Sequence, residues 1–264
     1  MFNGAFAATF FFFFSSIGFS KAISLNLPVF EEFPRQHKFY QDLLETSLRD
    51  MGHYPEIKNV TLSVQSAVTA LQEGKISLLW LVQTDDRDDK LRPIDIDLTG
   101  GLVGTRILLI RKGTQGDYEN VKGLTDFRAL SKVGGFGQNW HGVSVWKKNT
   151  LRYKEKSGNW RSIFKMIASG RSYDYISRSI LDVLEDSRTY PGLEIEKNLV
   201  FKYDRDFRFY FDKDSTSPFF AVVKESLQKA QKRGLMARLV RKHWKKEFAE
   251  LRYDSRFKIR LGNP

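Results

Sequence analysis

Two arginines stand where an α/β chain could use them to hold an acid group. Arg87 follows the apolar run 76–82, in the loop at the C-terminal end of a buried-looking strand. In open α/β sheets that edge is where ligands bind, and a guanidinium there offers a planar fork to a carboxylate or phosphate. Arg87 also sits among Asp85, Asp86, Asp88 and Asp89, so a surface ion pair is its competing reading. Arg178 holds the equivalent place beyond a second strand, 173–176, with Asp182 one helical turn later, able to neutralise it.

A third feature is Gly135-Phe136-Gly137, after one strand and before a helix. Glycines at such a turn let backbone N–H groups approach an anion at a helix N-terminus. Gln138 and Asn139 add side-chain donors, and Trp140 or Trp146 an apolar wall. The other reading is a tight turn whose tryptophans pack in a core. A dinucleotide fingerprint is broken, because its third glycine position holds Trp140.

Much chemistry is excluded. There is no cysteine, hence no disulfide, thiolate metal site or cysteine nucleophile. The histidines, His37, His53, His141 and His243, are scattered, with no helical pair at metal-ligand spacing. The aspartates at 85–89 lack the register and closing glutamate of an EF-hand loop. No nucleophile elbow and no Walker loop occurs. For acid–base work only Glu31, Glu32 and His141 come forward, none with an assignable partner. No catalytic residue, metal or cofactor is therefore assigned.

The elements that would position these residues alternate. Strands at 23–29, 57–64 and 76–82 enclose helices around Tyr40–Met51 and Ala67–Leu71, the order of a parallel sheet flanked by helices. A charged loop, 85–93, leads to strands near 94–98 and 105–111. The polar stretch 112–120 reads as a crossing between units. Alternation then resumes, with a strand ending at Phe136, a helix from about Asn139, a strand at 151–154 and a helical face of Trp160, Ile163, Phe164 and Ile167. After the strand 173–176 come a helix at 180–184 and strands at 193–203 and 207–211. Two amphipathic helices, parted by Gly234, end the chain.

The 264 residues suit one large domain or two lobes, and 41% hydrophobic content fits a folded chain. Residues 1–22 read as a signal peptide. An apolar stretch with phenylalanine from 10 to 14 precedes small residues suited to cleavage after Ala22, although no Lys or Arg lies in 1–4. The net charge of +12 is compatible with anionic partners. Its cations are dispersed outside the helix 233–246, and no nucleic-acid motif appears.

Together these pieces resemble the type 2 periplasmic solute-binding proteins, in particular those serving amino-acid ABC transporters. The resemblance rests on Thr84-Asp85-Asp86-Arg87, matching a T-x-x-R motif, and on the turn Gly137-Gln138-Asn139-Trp140. It rests also on Gly170-Arg171-Ser172-Tyr173-Asp174, one residue longer than a G-R-x-D segment, and on the paired terminal helices. It implies an α/β, two-lobed fold with two hinge crossings, each lobe a mostly parallel sheet flanked by helices. Lobe 1 would comprise 23–112 and 204–264, and lobe 2 residues 113–203.

It further implies an exported periplasmic monomer that closes on a small ligand for ABC-type uptake or for docking on a membrane receptor, with no catalysis and no nucleic acid. A dehydratase-like enzyme on the same scaffold is the alternative. Thr84, Arg87, Gln138, Asn139, Trp140 and Arg178 would bind the ligand. In amino-acid binders an aspartate meets the ligand's ammonium, whereas here the matching position is Arg178. The expectation is thus a carboxylate-bearing, anionic ligand clamped between Arg87 and Arg178; the alternative is that Arg178 merely pairs with Asp182.

Overall fold

A computed structural model describes residues 22–31 and 37–264. The expected leader, apart from Ala22, and Glu32 lie outside them. The chain runs β1 (Ala22–Phe30), α1 (His37–Arg49), β2 (Tyr54–Leu62), α2 (Ala67–Gln72), β3 (Leu79–Val82), α3 (Asp85–Lys90) and β4 (Leu91–Pro93). Then follow β5 (Thr105–Arg111), α4 (Leu124–Ala129), β6 (Gly134–Gly137), α5 (His141–Lys148), β7 (Tyr153–Lys156), α6 (Ser162–Ala168), β8 (Tyr175–Ser179) and α7 (Val183–Thr189). The last elements are β9 (Leu193–Ile195), β10 (Leu199–Lys202), β11 (Phe207–Asp212), α8 (Phe219–Lys232), α9 (Leu235–His243), α10 (Lys245–Glu250) and β12 (Phe257–Arg260).

These form an α/β fold of two lobes. The first contains the parallel pair β1–β2 and the antiparallel sheet β3-β11-β4. Its helix α1 buries Phe39, Tyr40, Leu43, Leu44 and Leu48, one apolar stripe at helical spacing. The second is a seven-stranded sheet ordered β12-β10-β5-β8-β6-β7, with β9 also on β5. Its β7, β6 and β8 are parallel, while β5 runs against β8 and β10. The antiparallel pairs fall on β5 and β11, the strands that enter from the other lobe.

The lobe edges differ from expectation. β5 belongs to the larger sheet, so the first passage between lobes is residues 99–104 and not the stretch 112–120. The reason is visible in the strand. Ile107 and Leu109 join one core cluster, and Leu108 and Ile110 join the other. An unbroken apolar run needs both faces covered, which the middle of the larger sheet provides. The polar stretch instead forms a 3-10 turn, Gln115–Tyr118, whose tyrosine is buried. The return passage is 203–206. The chain end, expected in lobe 1, pairs β12 with β10 and so makes a third passage.

Two local differences matter for the site. The charged loop 85–93 is in fact α3 and β4. The strand expected at 94–98 is irregular, although the Ile94 and Leu98 N–H groups still donate to carbonyls of β11.

The first two passages are stapled together. The buried Asp206 carboxylate accepts from the N–H groups of Thr99 (2.9 Å), Gly101 (2.8 Å) and Phe207 (2.7 Å), and from the Thr99 hydroxyl. Beside it, a Cβ on Gly104 would lie 1.9 Å from the Tyr203 carbonyl oxygen, so only glycine lets the two passing chains come this close.

Candidate functional site

The site residues come from the C-terminal ends of β3, β6, β7 and β8 and from the return passage. Thr84 caps α3, its hydroxyl accepting the Arg87 N–H at 3.2 Å. That cap sets the turn from which the Arg87 side chain reaches back, donating to the Val82 carbonyl. The helix is pinned from below by Asp88, which accepts from Gln83 (2.6 Å), Arg208 (3.1 Å) and the Tyr210 hydroxyl (2.8 Å). Among the described residues, Arg87 has no carboxylate within ion-pair distance.

Arg205, in the return passage, joins the two lobes. One Nη donates to the Gln83 carbonyl and to Gln83 Oε1 at 2.6 Å. The other lies 2.7 and 2.8 Å from the ring nitrogens of His141, the first residue of α5. Its Nε is buried with no hydrogen-bond partner, and no carboxylate is within ion-pair distance among the described residues. Burial holds Arg205 below the usual arginine range, and nearby Arg87 pushes the same way. Burial first, then Arg205, lowers His141 to about 4, against an opposing pull from Asp85. His141 is therefore neutral near pH 7 and accepts from Arg205.

Arg178 lies in a different setting. Its Nε donates to Asp186, and its Nη2 is 3.7 Å from Asp182. The guanidinium also lies 5.1 Å from the ring centre of Trp160 and 5.8 Å from that of Trp140. The two indoles meet edge to face at 4.8 Å. The Trp140 ring rests on Gly137, where a Cβ would come within 2.5 Å of its Nε1. Only 14% of the Arg178 side chain is exposed.

The turn before α5 answers the question left by its glycines. The Gln138 N–H donates to the Lys156 carbonyl at 3.1 Å and the Asn139 N–H to Glu155 at 3.2 Å, with Asn139 left-handed at φ 63°. Those backbone donors serve the turn itself, while both side chains are exposed. Trp146 is a core residue whose Nε1–H donates to the Tyr175 hydroxyl at 2.8 Å. Trp140 alone of the two stays at the surface.

Arg87 and the Arg205–His141 contact thus meet at one point, and Trp140 and Arg178 form a second cluster. Sequence reasoning missed Arg205, Gln83 and the part played by Trp160. The signal for Arg205 was the charged run 204–206 between two strand-like stretches. Trp160 was absorbed into a helical face with Phe164. Glu31 is exposed at the end of β1.

No family model matches the chain, and no curated protein matches it. Solved structures do share its fold. One is the probable amino-acid ABC transporter extracellular-binding protein YtmK from Bacillus subtilis, with TM-score 0.59 and 13% identity over 84% of this chain and 97% of that one. Another is YckB from Bacillus subtilis, with TM-score 0.53 and 16% identity over 84% and 91%. The chain accordingly has the two-lobed fold of the type 2 periplasmic binding proteins.

Proposed function

We propose that this protein captures a small carboxylate-bearing solute between its lobes and presents it to a membrane partner, an ABC-type permease or a receptor, without chemical change. One observation carries this reading. Where the loop after β3 meets the turn before α5, Arg87 and Arg205 have no carboxylate within ion-pair distance among the described residues, so an acid group would supply the counter-charge. Arg87 would anchor the acid group, with Thr84 fixing its loop. Trp140 and the exposed side chains of Gln138 and Asn139 would line the facing lobe. Arg178, met by two aspartates, is withdrawn from the clamp, so one acid group suffices. His141 is held by a guanidinium and not by a carboxylate, which favours binding over acid–base work. The working location is the periplasm, and the working form a monomer.

A thermal-shift panel of small mono- and dicarboxylates and amino acids tests this. A solute that binds only the folded protein raises its melting temperature. The expected result is a rise with at least one acid, absent in Arg87→Ala. No shift with any acid, or an equal shift in the variant, would sink the reading.

A further inference from the structure

The cluster around Arg178 balances without any solute. Two guanidiniums, Arg178 and Arg106, face two carboxylates, Asp182 and Asp186, and both aspartates act on both arginines' surroundings. Arg106 is itself committed, donating to the Ser177 carbonyl at 2.6 Å and the Ser177 hydroxyl at 3.3 Å. Arg178 differs in that it lies beside two indoles as well as against the aspartates. Aromatic faces and carboxylates together make up a receptor for an organic cation. These groups come from the C-terminal ends of three adjacent parallel strands, β7, β6 and β8, the edge at which α/β sheets take ligands.

We propose that Arg178 is a built-in occupant of a cation pocket formed by Trp140, Trp160, Asp182 and Asp186, so that the larger lobe is closed to solutes bearing an ammonium or guanidinium group. The inference deepens the solute-binding reading, since it sets which solutes that cleft refuses. Removing the side chain leaves one uncompensated negative charge next to the slot beside the two rings that the guanidinium vacates, and a half-buried unpaired carboxylate draws a cation strongly. Arg161, 4.7 Å from the Trp160 ring centre, bears on that same indole.

The experiment is a gain of binding. Methylguanidinium is titrated into wild type, Arg178→Ala and Arg178→Met, followed by calorimetry and by indole fluorescence. Wild type and Arg178→Met, whose unbranched side chain refills the slot, are expected to show no saturable binding. Arg178→Ala is expected to bind at least tenfold more tightly than either. Adding Trp160→Ala or Asp186→Asn to Arg178→Ala is expected to abolish the gain.

Should Arg178→Ala be unfolded alone, the pocket requires that millimolar methylguanidinium restore its circular dichroism while leaving wild type unchanged. A folded Arg178→Ala that binds no better than wild type, a gain indifferent to Trp160 and Asp186, or an unfolded variant that methylguanidinium does not rescue would each overturn the proposal. The gain does not depend on wild type binding any acid, so this test and that of the proposed function fail separately.

Discussion

Arg87 stands in α3, just past β3, and Arg178 stands inside β8, one residue from its end and not beyond the strand as expected; their surroundings are opposite. Arg87 is met by a carbonyl, with Arg205, a second guanidinium, nearby. Arg178 is met by two carboxylates and two indoles. A charge left uncompensated in a folded protein is held at a cost that a ligand can relieve. A charge fully met by its neighbours has become part of the framework. On the proposed function the same residue type would therefore meet a solute in one lobe, while in the other it is engaged by its own neighbours. Position in the fold does not decide which; the nearby carboxylates do.

The sharpest way to break this contrast is to remove each charge while keeping the side-chain volume. Arg178→Met leaves Asp182 and Asp186 poorly solvated and short of a partner. Breaking a buried pair on one side costs about 3 kcal/mol. Arg87→Met strands no carboxylate among the described residues and is expected to cost under about 1 kcal/mol, since the half-buried guanidinium loses only its bond to a carbonyl. Urea unfolding at pH 7 measures both. Equal losses would show that Arg87 is as structural as Arg178. A smaller effect follows from Asp186→Asn, which keeps an acceptor for the Arg178 Nε but removes its charge. A loss of about 1–2 kcal/mol is expected. With it, Arg178 should acquire weak affinity for small carboxylates, read as a melting-temperature rise that, on the proposed function, wild type would show only through Arg87. If Arg87→Ala/Asp186→Asn shows no such rise, Arg178 is closed to anions by shape and not by charge.

The alternation of strands and helices was legible because apolar spacing is a local property of the sequence. So was the special position of Arg87, which needs only a strand end and a following loop. What could not be read was which face of β5 lay against which lobe. Its run of Ile107 to Ile110 is apolar throughout, and periodicity carries no information when both faces are covered. The boundary of the first lobe moved for that reason. The partners of Arg178 were half legible. Asp182 lies one turn away and was weighed as its neutraliser, but Asp186 is eight residues on and reaches back only because α7 starts at Val183. Trp160 is 18 residues upstream on another strand's exit, and only the parallel order β7-β6-β8 brings it near. Arg205 was hidden for the same reason, since its partners Gln83 and His141 lie 122 and 64 residues away.

The mildest test concerns the contact that ties the two lobes at their uncompensated end. His141 is kept neutral by burial and by Arg205, with a value of about 4 against its ordinary 6.5. Asp85 pulls it upward, and Arg87 stands close to the same guanidinium. A lowered value means that the unfolded chain takes up a proton between pH 6.5 and 4 while the folded chain does not. Stability from this group is thus complete above pH 6.5 and drains away as the pH falls towards 4. Because the ring is only partly covered, solvent screening limits the loss to about 1 kcal/mol. His141→Gln keeps an acceptor for Arg205 and has nothing to titrate. Urea unfolding of both proteins at pH 7 and pH 4.5 should show wild type losing more stability than the variant on acidification. A variant as pH-sensitive as wild type across that window would mean that protonation of His141 is not what weakens the fold there, and that the Arg205–His141 contact adds no pH-dependent stability.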